Sequence, residues 1–289
     1  MHFVKAKTLL SSSMGMNLYR GCTHGCIYCD SRSLCYHTPI PFEDIEVKEN
    51  APELLEKALL SRRNKCMIGM GSMCDPYMHC EKDIQLTKQC LELIHQYEFG
   101  ATLITKSALA LRDIDLFESI HRKAKFVLQV TLTTYDENLC KIIEPHVSST
   151  AERITLLEEC AKRNIPTIVW LCPFLPYIND DFDNLANLLE LCKKAQVTGI
   201  INFGIGLTLR QGNREYFYKQ LDKFFPELKN RYIREFGYSY QITSKNNSLL
   251  MKYFHHFCSA HNILSTPKDC FTFLKDFPQR KTSLQYELF

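Results

Sequence analysis

From the N-terminus to about residue 206, short apolar runs alternate with stretches whose apolar positions recur every three or four residues. The short runs predict strands at Met16–Tyr19, Cys66–Gly71, Ala101–Thr105, Phe126–Thr133, Thr167–Cys172 and Gly199–Gly204. The longer periodic stretches predict helices near 52–63, 81–97, 113–123, 151–163 and 181–195. In the second of these, Ile84, Thr87, Cys90, Leu91 and Ile94 share a face. In the fourth, Ser149 and Glu152 have the spacing of a capping box, ahead of Ile154, Leu157, Cys160 and Ala161. In the fifth, Asn179 or Asp180 is placed to cap a stripe of Phe182, Leu185, Leu189 and Cys192.

Six strands alternating with helices predict a parallel α/β sheet with right-handed crossovers. An open doubly wound sheet and a barrel both satisfy the pattern. One connection is long, from Gly21 to about Asn50 directly after the first strand, and loops of that length in compact domains usually carry function. Beyond residue 206 aromatic, basic and acidic residues mix at helical spacing. We expect a core over 1–206 and a mainly helical extension over 207–289 packed on it, with one helix ending at Pro226 and another over 246–262.

Composition narrows the picture little. The 289 residues are 45% hydrophobic, enough for a sizeable core, and no apolar run is long enough to span a membrane. The opening residues lack the hydrophobic segment and cleavage site of a signal peptide, so a soluble cytoplasmic protein is expected. A net charge of +3 identifies no nucleic-acid partner. Most of the fourteen cysteines lie scattered in apolar patterns, as buried thiols in a reducing compartment do.

The long loop changes the picture. Cys22, Cys26 and Cys29 stand in a C-x₃-C-x₂-C spacing between the small residues Gly21 and Gly25. Three closely spaced thiolates can hold three irons of a 4Fe–4S cube and leave the fourth iron open. A zinc site with Cys35 or His37 as fourth ligand is the alternative, but zinc ligands usually come as two hooks with a longer spacer, and no second hook follows. A four-cysteine electron-transfer cluster using Cys35 is a further alternative.

The segment from Cys22 to Cys29, with an aromatic before the third cysteine, resembles the signature of the radical S-adenosylmethionine (SAM) superfamily. NLYRGCTHGCIYC, GSMCDPYMHCEKDIQLTKQCLEL, LITKSALALRDIDL, VTLTTYDENLCKIIEPHVSSTAERI and VWLCPFLPYIND follow one another as in its spore photoproduct lyase-related branch, over roughly residues 15–205. The resemblance implies a partial (β/α)₆ barrel of the TIM type, with chemistry at the C-terminal ends of its strands. It implies a 4Fe–4S cluster and SAM as cofactors, a reducing partner such as a flavodoxin or ferredoxin, and hydrogen abstraction from a substrate. By the same resemblance Tyr28 lies against adenine, Gly71 and Ser72 meet the SAM amino group, Lys106 pairs with its carboxylate, and Thr131 touches it.

Cys74 is expected at the catalytic mouth as a candidate hydrogen donor, although the matching family cysteine falls nearer Ser72. Asp75 and Tyr77 are expected to line the same pocket. A tyrosine of the photoproduct lyases is replaced here by Asp30, directly after Cys29, which argues against thymine-dimer repair. Nucleic-acid lesion repair and plain electron transfer remain the rival activities. Cys35, Cys80, Cys258 and Cys270 show no ligand spacing for an auxiliary cluster. Arg210, Arg214, Lys219, Lys223, Arg231 and Arg234 could track a phosphate backbone, but Glu215, Asp222, Glu227 and Glu235 interleave with them, as on a solvated face.

Overall fold

A computed structural model of the chain describes residues 1–38 and 41–278. The first strand, β1 (His2–Val4), pairs in parallel with β4 (Glu46–Lys48), and β3 (Tyr19–Arg20) lies antiparallel on the other side of β4. The main sheet has six parallel strands: β2 (Gly15–Met16), β5 (Met67–Met70), β6 (Gly100–Thr105), β7 (Phe126–Leu132), β8 (Thr167–Leu171) and β9 (Gly199–Ile201). They stand side by side in the order of the chain. A doubly wound sheet reverses its strand order near the middle; strictly sequential parallel strands wind one way, as in a barrel. Since β2 and β9 are not paired, the barrel is partial.

Helices α1 (Ala51–Leu60), α2 (Glu81–Ile84), α3 (Leu86–Gln96), α4 (Ile114–Lys123), α5 (Glu137–Ile143), α6 (Thr150–Lys162) and α7 (Phe182–Lys194) form the crossovers. Every residue of β7 is buried, because helices cover one face and the barrel interior the other. Along β7 and β8, Gln129, Thr131 and Trp170 point inward, while Leu128, Val130 and Leu132 pack in the core.

Local chemistry explains where the elements depart from expectation. The strand expected at Met16–Tyr19 divides between two sheets, because Asn17 turns out of the ladder and accepts from the Met73 amide at 3.0 Å. The helix expected over 81–97 breaks at Gln85, whose φ is 53°. The buried Glu81 carboxylate accepts from the Thr87 amide at 3.1 Å and so caps α3 from inside. The capping box of Ser149 and Glu152 is present on α6. The cap of α7, however, is Asp181, because Asn179 and Asp180 spend their carbonyl and carboxylate oxygens on the Leu175 and Tyr177 amides. Phe182 is 49% exposed and lies outside the buried stripe of Leu185, Leu188, Leu189 and Cys192.

After β9 the chain makes a two-stranded antiparallel ribbon of β10 (Gly206–Thr208) and β11 (Gln241–Thr243). With it come α8 (Asn213–Phe224) and α9 (Leu228–Phe236), which pack together, then α10 (Asn247–Ala260), which packs on α7, and α11 (Pro267–Lys275), which packs on β9. The end of the expected extension, 279–289, lies outside the described residues. Leu264 extends the sheet past β9, its carbonyl accepting from the Ile200 amide at 2.7 Å. Among the described residues no helix is long and apolar enough to cross a membrane.

Candidate functional site

The cysteine loop leaves β3 through Gly21, whose φ is +85°. A Cβ there would sit 2.5 Å from the Phe42 carbonyl oxygen, so glycine is what lets the two segments touch. The loop is pinned from both sides. The Cys22 amide donates to Phe42 O at 3.0 Å, the Ile27 amide to Ile143 O at 3.0 Å, and the His146 amide to His24 O at 3.2 Å. Its residues then alternate. Cys22, His24, Cys26 and Tyr28, followed by Cys29, line a cavity of about 1210 Å³ at the C-terminal ends of the strands. Thr23, Gly25 and Ile27 line a separate hollow of about 620 Å³ on the loop's other face.

Burial pushes the Cys22 thiol up to about 12 and the Cys26 thiol well above the ordinary range. Both are protonated in the metal-free protein, and metal binding would release those protons. Among the described residues no three His, Cys, Asp or Glu side chains gather as they would around one ion. Thiols on one loop that face a shared cavity without closing on a point suit ligands of separate irons in a cluster better than a single zinc. The donor set therefore fits a 4Fe–4S group.

Every residue expected to meet cofactor or substrate chemistry at this mouth, Tyr77 excepted, lines the same cavity: Tyr28, Gly71, Ser72, Cys74, Asp75, Lys106 and Thr131. Gly71 has φ +95°, and a Cβ would lie 2.5 Å from Ile104 O. Asp75 organises the turn that follows. It accepts from the Thr105 hydroxyl at 2.7 Å, the Tyr77 amide at 2.8 Å and the Lys106 amide at 2.6 Å. Tyr77 does not reach the cavity; it is fully buried and donates to Asp113 at 2.9 Å. Cys74 is 5% exposed, and its S–H donates to Tyr19 O at 3.0 Å. Burial pushes that thiol up to about 12, so it keeps its hydrogen at neutral pH.

Lys106 directly follows β6, with its Nζ 5.8 Å from the centre of the Tyr28 ring. Burial opposes its charge, but the thiolate forms of Cys26 and Cys29, as when bound to metal, together with the Glu144 and Asp75 carboxylates outweigh burial and raise its pKa. The cavity thus holds a firmly cationic ammonium beside an aromatic ring.

Glu144 and Arg153 are the residues that sequence reasoning passed over. The Tyr28 hydroxyl donates to one Glu144 oxygen. The other accepts from Arg153 at 2.7 Å, and Arg153 also donates to Thr131 O at 2.8 Å. A buried chain of charge-assisted bonds therefore joins the cysteine loop to β7. Asp30 does not present a free carboxylate: it accepts from the Tyr36 hydroxyl at 2.9 Å and from Arg210 at 3.1 Å. Tyr36 lines the cavity too, so a phenol stands beside Asp30 although none follows Cys29 directly.

The other thiols are dispersed. Cys35 is exposed, Cys80 half-buried, and Cys258 and Cys270 are buried. Half of the basic segment is paired internally, Arg210 with Asp30, Arg231 with Glu235, and Arg214 with the Leu209, Tyr238 and Ser239 carbonyls.

The model of the Radical SAM superfamily matches residues 16–189. An uncharacterized protein of Methanocaldococcus jannaschii is 32% identical over 167 residues, 57% of this chain and 61% of that protein. An uncharacterized protein of Mycobacterium tuberculosis is 28% identical over 225 residues, 75% of this chain and 65% of that protein. The chain thus spans less than two thirds of the length of either relative. A spore photoproduct lyase point mutant superposes with a TM-score of 0.65 at 12% identity, covering 91% of this chain and 80% of that one. Another, with bound AdoMet and dinucleoside spore photoproduct, gives 0.61 at 13% identity over 86% and 74%. At such identities these two likenesses speak for the fold alone.

Proposed function

The chain belongs to the radical SAM superfamily, and on that premise we propose that it is an enzyme that binds a 4Fe–4S cluster and SAM in the cavity at the strand ends. The carrying observation is the convergence of Cys22, Cys26 and Cys29 with Tyr28, Ser72, Lys106 and Thr131 on that one cavity. When bound, the cluster would supply the electron that splits SAM into methionine and a 5′-deoxyadenosyl radical, which takes a hydrogen atom from the substrate.

In this reading the protein supplies binding, orientation and exclusion of water. Cys22, Cys26 and Cys29 hold three irons. Lys106 pairs with the SAM carboxylate, its charge maintained by its neighbours. Gly71 and Ser72 receive the amino group on a turn fixed by Asp75 and Asn17. Tyr28 offers a ring face to the adenine, its hydroxyl tethered to Glu144. Thr131 contributes a hydroxyl from β7. Cys74 is a weaker candidate as hydrogen donor, since its S–H is engaged with Tyr19 O. Residues 1–206 form the catalytic core in this reading, and the extension from 207 closes the cavity with β10, β11 and Phe271. All fourteen cysteines are free, which suits a reducing cytoplasm.

The test is anaerobic incubation of the reconstituted, dithionite-reduced protein with SAM. Formation of 5′-deoxyadenosine and a SAM-induced change in the cluster EPR signal are expected, and Cys29→Ala abolishes both. Absence of both from the wild-type protein would overturn the proposal.

A further inference from the structure

We infer that the hollow behind the cysteine loop is the docking site of the electron donor, a small acidic flavoprotein of the flavodoxin type. The inference rests on the proposed cluster chemistry and assigns that chemistry a separate point of supply. Its first support is the alternation along the loop. Side chains at 22, 26 and 29 face the SAM cavity, while Thr23, Gly25 and Ile27 form a wall of the hollow. A donor seated there is one layer of backbone from the ligands and need not enter the SAM cavity.

The second support is the character of the surface. Ile27, Ile142, Pro145 and Phe224 give the hollow an apolar centre, and Phe224 is 38% exposed. Lys223 lines it, and Lys219 stands one turn earlier on α8, exposed beside the lining residues Tyr216 and Gln220. Neither lysine makes an ion pair among the described residues, whereas the nearby acids are occupied. Glu43, itself a lining residue, pairs with Arg32, Asp222 pairs with Lys229, and Glu215 caps the Gly212 amide. An apolar centre with two lysines at its rim that make no ion pair matches a partner whose apolar, flavin-bearing face is ringed by carboxylates. Two of the basic residues that no nucleic-acid reading accounts for thereby acquire a role. The step involves no bond change: the fully reduced flavin is oxidised by one electron and the cluster is reduced by one.

The experiment compares wild-type protein with Lys219→Glu/Lys223→Glu and with Gln220→Trp, which narrows the hollow without altering charge. Each is cluster-reconstituted and titrated with oxidised flavodoxin, and then assayed for 5′-deoxyadenosine with either reduced flavodoxin or dithionite. We expect wild-type binding to weaken with salt, and both variants to bind about tenfold more weakly. Flavodoxin-driven turnover should fall by a similar factor while the dithionite-driven rate stays at the wild-type level. Wild-type affinity in both variants, an equal loss with dithionite, association of a second copy of this chain at the hollow in place of flavodoxin, or no flavodoxin binding to wild type would each overturn the inference. Failure of dithionite-driven SAM cleavage in wild type would instead refute the cluster chemistry, with flavodoxin binding still measurable.

Discussion

Glu144 and Arg153 meet at 2.7 Å with neither side chain exposed to solvent. Removing one partner of such a pair strands the other charge in the interior, which typically costs about 3–5 kcal/mol. We expect Glu144→Leu to lower unfolding free energy in urea by that order and to release the Tyr28 hydroxyl. A loss below about 1 kcal/mol would show that the pair does not anchor the loop.

The same carboxylate makes stability depend on pH. Burial raises the Glu144 pKa, but Arg153, Lys106 and the Tyr28 hydrogen bond outweigh it, and the folded value lies below the ordinary one. Its contribution is therefore complete above the unfolded value of about 4.3 and is lost as pH falls through the lower folded value. Thermal melts from pH 6 downward should show an acid slope that is shallower in Glu144→Gln. Equal slopes would remove Glu144 from the account.

In the proposed reading Lys106 sets the affinity for the SAM carboxylate. A charge-assisted hydrogen bond contributes about 1.5–3 kcal/mol, so Lys106→Met should weaken SAM binding about 10- to 150-fold. Equilibrium dialysis of SAM against reconstituted protein measures this. Unchanged binding would place the carboxylate elsewhere.

Gly71→Ala tests the turn after β5. The added Cβ meets Ile104 O at 2.5 Å in a backbone conformation with φ +95°, so the variant should be less stable by about 1–3 kcal/mol. Calorimetry should show a lowered Tm. A Tm equal to wild type would mean that the turn relaxes freely.

Thiol reactivity should follow exposure. Cys35 is exposed, whereas Cys74 is buried with its pKa pushed up to about 12. Under iodoacetamide at pH 8, peptide mapping should find Cys35 alkylated well before Cys74. The reverse order would contradict the packing of Cys74 against Tyr19.

Five of the six barrel strands were legible because each lies in a short apolar run bounded by turn residues; of β2 only Met16 was. β1, β4, β10 and β11 fell outside those runs; β9 is just as short but lies within the expected run Gly199–Gly204. The site divides in the same way. Cysteines 22, 26 and 29 announce themselves by spacing, and Lys106 and Thr131 through family likeness. Glu144 and Arg153 depend on each other across nine residues, and a lone arginine is ordinarily read as exposed. One signal was available: Arg153, Leu157 and Cys160 stand at spacings of four and three, which places a charge inside an apolar stripe.

The alternation of the cysteine loop also bears on timing. A cofactor pocket on one face and a hollow on the other, parted by a single strand of backbone, are two doors that do not obstruct each other. With a docked donor, recharging need not wait for the pocket to empty, so order of arrival imposes no toll on turnover. Initial-rate patterns with donor and SAM varied together should lack any mutual exclusion.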